Sequence, residues 1–343
     1  MCNIAGYVGS KRAAPILIEM MLKQEGWDAG YYTGIATAFE GKLYTDKVVG
    51  DTQKLLEQTD SANFPGNVGI LHGRSKAGGD ARWAQPFVGA TGKIAYMVNG
   101  TVGAFAKCIK TRREEIYMTL KAAGYRCSSC TEGKVGGYGV YPDGCSAHAS
   151  DVACQQIARY VDCGWTTPAA MGKAYCEIPC EVVGLALNVD EPDRISWVRI
   201  NYPMFLGFAS HGTYMATTPM AFPNDVTRIT LLDPLSCGSV LADHYESKPI
   251  LDFPGTVAPI TPSAWKACYE AVIQNLSERE MDHDELDLLV KPLLGKADCV
   301  EEATAEYAIL YELQKQGRLL ITKSRVPGSF EGLDAPKFRA KLK

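Results

Sequence analysis

Met1-Cys2-Asn3-Ile4-Ala5-Gly6 opens the chain, and the reading of these six residues decides the fold. A cysteine directly behind the initiator methionine becomes the N-terminus once that methionine is trimmed, so one residue then carries both a thiol and a free α-amine. An α-amine titrates at roughly 7.7 to 8.0 and a thiol at about 8.5. Near neutral pH the amine therefore takes the thiol's proton, directly or through one water, and arms it as a nucleophile. Taken alone, the same residues also describe a buried thiol on a hydrophobic first strand over residues 4–8. The residues downstream decide between the two.

The chain is 343 residues long, enough for one large domain and an appendage. With 46% apolar and 22% charged residues and a net charge of −4, it has the balance of an ordinary soluble protein and no basic footprint for nucleic acid. No run of about 18 apolar residues and no signal-peptide pattern is present, so a cytoplasmic location without membrane association is expected. The twelve cysteines then read as reduced thiols, metal ligands or a nucleophile rather than as disulfides.

In chain order, Pro15 suits the first turn of a helix with an apolar face of Ile16, Leu17, Met20 and Met21, ended by Gly26. Residues 35–39 and 43–49 form a hairpin around Gly41, residues 52–58 a short helix, and residues 67–72 and 94–98 further strands. A helix over 112–123 closes at Gly124. Residues 126–148 make a glycine- and cysteine-rich insert without apolar period, and residues 151–161 a helix. Short strands follow at 182–189, 195–200, 205–210 and 214–217. After Pro254, Pro259 and Pro262 the pattern turns helical over 263–276, 285–294 and 301–316, with Ser277 and Glu280 as a capping box and a strand over 319–323. The expected units are residues 2–255, a layered α+β domain, and residues 260–330, a small helical C-terminal unit resembling a winged helix.

Behind Met-Cys-x-Ile stand four clusters in order: Gly26-Trp27-Asp28 with Gly34-Ile35-Ala36; Gly69-Ile70-Leu71-His72-Gly73-Arg74; Val98-Asn99-Gly100; and Ser150-Asp151. Singly, each has an ordinary reading: Asn-Gly is a hairpin turn, Arg74 a solvated or paired arginine, Ser150-Asp151 a helix cap. Together, over residues 2 to about 222 apart from the insert, they resemble the glutaminase domain of class II glutamine amidotransferases. The run Glu191-Pro192-Asp193, Arg199, Pro203, Gly207 and Tyr214-Met215-Ala216 fits that resemblance.

The resemblance implies a four-layer αββα sandwich of the N-terminal nucleophile hydrolase fold. It also implies that Cys2 attacks the carboxamide of glutamine, with its α-amine as base and then acid. Asn99 by its amide and Gly100 by its backbone N–H would form the oxyanion hole. Arg74 would grip the substrate α-carboxylate, and Asp151 the α-ammonium. Departures stand at Asn3, where the family has glycine, at Glu25, where it has arginine, at residues 31–33, which look like a loop insertion, and at Ser75-Lys76-Ala77-Gly78, which replaces Trp-Ala-Thr-His. Glu25 and the altered 75–78 loop favour, as the alternative, a non-catalytic scaffold or amino-acid-binding subunit.

In the insert, Cys127, Cys130, Cys145 and His148 have a C-x2-C-x14-C-x2-H spacing compatible with one tetrahedral zinc. Buried thiols and a redox-active pair are open as well, and glutaminase chemistry itself requires no cofactor. The residues after about 222 hold no phosphate loop and no dinucleotide fingerprint, and acidic Asp282, Asp284, Glu285, Asp287, Asp298, Glu301 and Glu302 argue against DNA. The expected partner is a separate synthase subunit that takes up ammonia.

Overall fold

A computed structural model describes residues 2–343. The chain runs through β1 (Asn3–Gly9), α1 (Ala13–Gln24), β2 (Tyr32–Phe39), β3 (Lys42–Val49), α2 (Thr52–Gln58), β4 (Val68–Arg74), β5 (Phe87–Val88), β6 (Ile94–Thr101) and α3 (Ala106–Ala122). It continues with β7 (Thr131–Glu132), β8 (Cys145–Ser146), α4 (Ala149–Asp162), α5 (Thr167–Glu177), β9 (Glu181–Asn188), β10 (Ile195–Arg199), β11 (Phe205–Ala209), β12 (Gly212–Ala216), β13 (Arg228–Leu231), β14 (Ser236–Val240) and β15 (Tyr245–Pro249). The last part is α6 (Pro262–Glu278), α7 (His283–Val290), α8 (Glu302–Lys315), β16 (Leu319–Pro327) and β17 (Asp334–Leu342). No helix is long and apolar enough to cross a membrane among the described residues.

Two large sheets are stacked. The first has the order β13-β11-β12-β1-β4-β2-β3 and the second β15-β14-β10-β9-β6-β5. Because strand side chains alternate between faces, each strand feeds two cores. On β1, Ile4 and Val8 face Ala95, Met97, Leu185 and Trp197 of the second sheet. Ala5 and Tyr7 instead face α1, through Ala14, Leu17 and Met21. The outer face of the second sheet, with Tyr96, Val98, Val182 and Val198, packs on α3, α4 and α5. The result is the expected four-layer αββα sandwich.

The C-terminal unit consists of three helices and the β16–β17 hairpin, and its hairpin extends to Leu342. Its apolar side is continuous with the core beneath α1: Val272, Leu276, Leu286, Leu310 and Phe338 join Leu17, Met21 and Trp27. The Trp27 ring meets Tyr307 at 6.4 Å and Phe338 at 5.7 Å, both edge-on. At Gly26 a Cβ would lie 2.1 Å from the Phe338 ring, so the hairpin's approach requires glycine there. A buried ion pair completes the joint. Arg199, fully buried at the end of β10, pairs with Glu301 ahead of α8 and donates to Thr304 Oγ1 at 3.0 Å.

Several local expectations are corrected. The third helix starts at Ala106 rather than at 112, and α5 was not foreseen although Pro168 occupies its first turn. Tyr32 and Thr33 belong to β2 and are no loop insertion: they pair with Arg74 and Gly73 of β4. The capping box is Asp282 with Glu285 at the start of α7, not Ser277 with Glu280, because Ser277 and Glu278 still lie within α6. Glu25 is buried and accepts from the Thr52 N–H at 3.0 Å and the Thr52 hydroxyl at 2.7 Å, which ties the end of α1 to the first turn of α2.

Candidate active site

Alternation on three strands brings one set of polar residues to the same end of the space between the sheets. Cys2 shares the inward face with Ile4, His72 and Arg74 share it with Ile70, and Asn99 shares it with Met97. The backbone N–H of Cys2 donates to Asn99 Oδ1 at 3.0 Å. With its oxygen so engaged, the Asn99 amide leaves Nδ2 buried and without a hydrogen-bond partner. The adjoining Gly100 has φ +157°, and a Cβ there would lie 2.2 Å from the Glu181 carbonyl oxygen. Glycine is therefore dictated by the close approach of β9, and Asn99-Gly100 stands within β6 rather than in a hairpin turn.

Burial pushes the Cys2 thiol up, but the neighbouring His72, by charge and by hydrogen bond, and the Ser75 backbone outweigh it and bring the thiol down to about 6. The Ser75 hydroxyl lies 3.7 Å from the sulfur. His72 is fully buried, and its Nε2 lies 3.1 Å from the Val98 carbonyl oxygen. A carbonyl only accepts, so Nε2 carries the proton and Nδ1, which has no other partner, is left to face the thiol. His72 was not singled out from the sequence. Its place two residues before Arg74 on one strand was the available signal.

Arg74 is almost fully buried. Its guanidinium donates to the Trp83 carbonyl at 2.9 Å and to the Tyr138 hydroxyl at 2.8 Å, lies 4.6 Å from the Tyr32 ring centroid, and has no carboxylate partner among the described residues. Tyr138, in the insert, also contacts His148 Nε2 at 2.9 Å. The insert thus reaches over the site, and its Gly136 packs backbone to backbone on Gly78. The insert and residues 75–78 are thus in contact with each other.

Asp151 is placed differently from expectation. Its Oδ2 accepts from the Ser129 N–H at 2.8 Å, the Ser129 hydroxyl at 2.9 Å and the Ser128 hydroxyl at 3.1 Å, while Oδ1 accepts from Gln155 at 3.0 Å. Four donors saturate a fully buried carboxylate. It holds the insert's first turn and is not open to a substrate ammonium.

The four-ligand zinc set is not assembled either. His148 spends Nδ1 on the Ser150 N–H and Nε2 on Tyr138, and burial followed by the charge of Arg74 pushes its imidazole well below the ordinary range. The Cys130 and Cys145 thiols meet each other beside Tyr117, whereas Cys127 is buried near Asp151 and Cys154. No described cysteine is in a disulfide.

A cleft of about 500 Å³ opens beside this site. Gly100, Thr101 and Val102 form one wall, Tyr138 and His148 another, and Arg113 lies on the α3 side. Cys2 does not line it. Gly100, next to Asn99, and Tyr138, on Arg74, are shared by the two.

No family model matches the chain. It is 26% identical over 255 residues to glutamine–fructose-6-phosphate aminotransferase (isomerizing) of Pyrococcus horikoshii, which covers 73% of this chain and 38% of the relative. A protein of the same name from Gloeobacter violaceus is 27% identical over 267 residues, covering 76% and 39%. The chain therefore spans about two fifths of the length of these curated relatives. Among solved structures, glutamine phosphoribosylpyrophosphate amidotransferase from B. subtilis superposes with a TM-score of 0.56 at 15% identity, covering 81% of this chain and 59% of that one. A second, described as the allosteric regulatory enzyme of purine biosynthesis, gives 0.57 at 14% identity, covering 97% and 67%. These structures share the fold.

Proposed function

We propose that this chain carries a class II glutaminase-type domain and hydrolyses the side-chain amide of glutamine to glutamate and ammonia through a thioester on Cys2. The observation that carries the reading is the junction of Cys2 with Asn99. The atom that donates to Asn99 Oδ1 becomes the α-amine once Met1 is removed, so base, thiol and oxyanion donor share one corner.

In this reading the Cys2 thiolate attacks the amide carbon, and Asn99 Nδ2 with the Gly100 N–H receives the negative charge that forms on oxygen. The proton taken from the thiol goes to the departing ammonia, and water then releases glutamate. Arg74, a buried cation without a carboxylate, would take the α-carboxylate once Tyr138 turns aside. Asp151 has no part in this account.

Ammonia would pass to a synthase on another chain, because free ammonia is largely protonated at neutral pH and then no nucleophile. Co-purification from the native host tests it, and a protein that makes an aminated product unaided would refute it.

A second reading, an amino-acid-binding or scaffold subunit, is favoured by the engagement of Asp151 with the insert. Intact-mass measurement before and after a glutamine-analogue electrophile separates the two. One adduct on Cys2 of a chain lacking Met1 supports the hydrolase, and no adduct at saturating reagent supports the scaffold.

A further inference from the structure

Away from Cys2, one group of chemically capable side chains has no role in the function above. The Asp282–Glu285 capping box starts α7, and this sets His283 and Asp287, four residues apart, on the helix face toward α8. Glu306 of α8 meets them there. His283 Nδ1 lies 2.7 Å from Glu306 Oε2, and His283 Nε2 lies 3.5 Å from Asp287 Oδ2. One ligand atom from each of the three lies within 4.8 Å of the others. His283 is 2% exposed and Glu306 0%.

Charge makes this arrangement incomplete. Glu306 Oε1 and Asp287 Oδ1 are both buried without a hydrogen-bond partner, although every oxygen of an ionised carboxylate seeks a donor. The nearby cations are committed elsewhere: Lys291 to Glu302 at 2.8 Å, and Lys337 and Arg339 to Asp282 at 3.2 Å each. Two carboxylates within hydrogen-bonding reach of each other beside one imidazole, with His283 and Glu306 buried and Asp287 24% exposed, need either a proton or a cation between them. The ring of Tyr307 stacks parallel on His283, 5.5 Å away, and holds the imidazole in one orientation. Its own hydroxyl is buried between the carboxylates and Asn3.

We propose that His283, Asp287 and Glu306 bind one divalent transition-metal ion of the zinc type. One imidazole nitrogen and two carboxylates are a borderline donor set suited to zinc or cobalt, with the remaining positions open to water or the spare carboxylate oxygens. The ion would clamp α7 to α8. Tyr307 lies on the face of the first sheet opposite Cys2, so the clamp would stiffen the C-terminal unit against the outer side of β1. This inference is independent of the chemistry proposed for Cys2.

The test uses the full chain, stripped with a chelator and dialysed against zinc sulfate, then against cobalt. Because the thiols also bind metals, the readout is the difference between wild type and the Glu306→Gln and Asp287→Asn variants. The wild type should hold one zinc more per chain than either variant, with at least a ten-fold loss of affinity at that site on substitution, and its thermal midpoint should rise with zinc over chelator. If the variants do not fold, cobalt in the wild type still decides. Ligand-field bands without a thiolate charge-transfer band support the site, and a thiolate band alone overturns it. Equal zinc content in wild type and folded variants, or a midpoint that zinc does not move, also overturns it and leaves a shared proton as the bridge.

Discussion

Cys2, directly ahead of β1, donates its backbone N–H to the side-chain oxygen of Asn99 on β6 at 3.0 Å, across 97 residues of chain and from one sheet to the other. That bond decides which end of the asparagine amide is spoken for. The nitrogen end is left buried and unpartnered, as an oxyanion donor must be before its ligand forms.

Substituting either partner should therefore affect turnover more than folding. Cys2→Ser keeps the shape of the side chain and should lower glutamine hydrolysis by roughly 1,000-fold or more, with little change in thermal midpoint. Asn99→Ala should cost about 100- to 1,000-fold in kcat. Steady-state glutamate release measures both, and full activity in Cys2→Ser would end the proposal.

The thiol's titration isolates His72. With the thiol at about 6 against an ordinary 9, the rate of iodoacetamide alkylation at Cys2 should rise with pH and reach half its maximum near pH 6. In His72→Asn the midpoint should move up toward 9. A profile that stays in place would show that His72 does not tune the sulfur.

Arg74→Lys retains charge but loses the planar fork. Inhibition by glutamate should weaken by roughly ten-fold, read as the shift in the inhibition constant at fixed pH. Equal inhibition of both proteins would assign Arg74 to structure alone, through Trp83 and Tyr138.

Glu25 gives a stability prediction with a definite sign. Burial, against two hydrogen bonds from Thr52, pushes its carboxyl from an ordinary 4.5 up to about 7. Between these values the folded state binds more protons than the unfolded, so stability falls as pH rises through this window and levels off above it. Glu25→Gln should thus gain on the wild type from pH 4.5 to 7, by at most about 3 kcal/mol. Urea midpoints at pH 5 and pH 8 provide the comparison, and a constant gap would contradict it.

Glu301→Ala leaves the guanidinium of Arg199 fully buried without its carboxylate. A loss of about 3 to 5 kcal/mol is expected, seen in urea unfolding, with the C-terminal helices opening to protease first. A change below about 1 kcal/mol would mean that the Tyr202, Asn201 and Leu232 carbonyls hold Arg199 by themselves.

What the sequence discloses here follows the range of the interactions. The first strand, the Asn99-Gly100 pair and the cap-and-period signals of most helices are local, and they lead to the layered fold. Asp151 misleads because its partners, Ser128 and Ser129, lie 22 or 23 residues away in a segment without period, and only the folded insert turns their donors onto it. The zinc spacing misleads because a cysteine pattern carries no direction, and His148 is drawn off by Tyr138. His72 was within reach, since alternation along β4 puts it on Arg74's face. The Arg199–Glu301 pair, 102 residues apart, leaves no local trace.

The position of β1 bears on how the chain is born. The strand that follows Cys2 sits between β4 and β12, with Ala5 opposite Ala216, and its outer face waits for Tyr307 and Phe338. On a ribosome adding roughly 5 to 20 residues per second, about 10 to 40 seconds pass between the emergence of the nucleophile and that of its second neighbouring strand. Throughout that interval the thiol is open to solvent and the methionine ahead of it is within reach of an aminopeptidase. In the proposed mechanism, removal of that methionine then falls to the growing chain, while Cys2 is not yet buried.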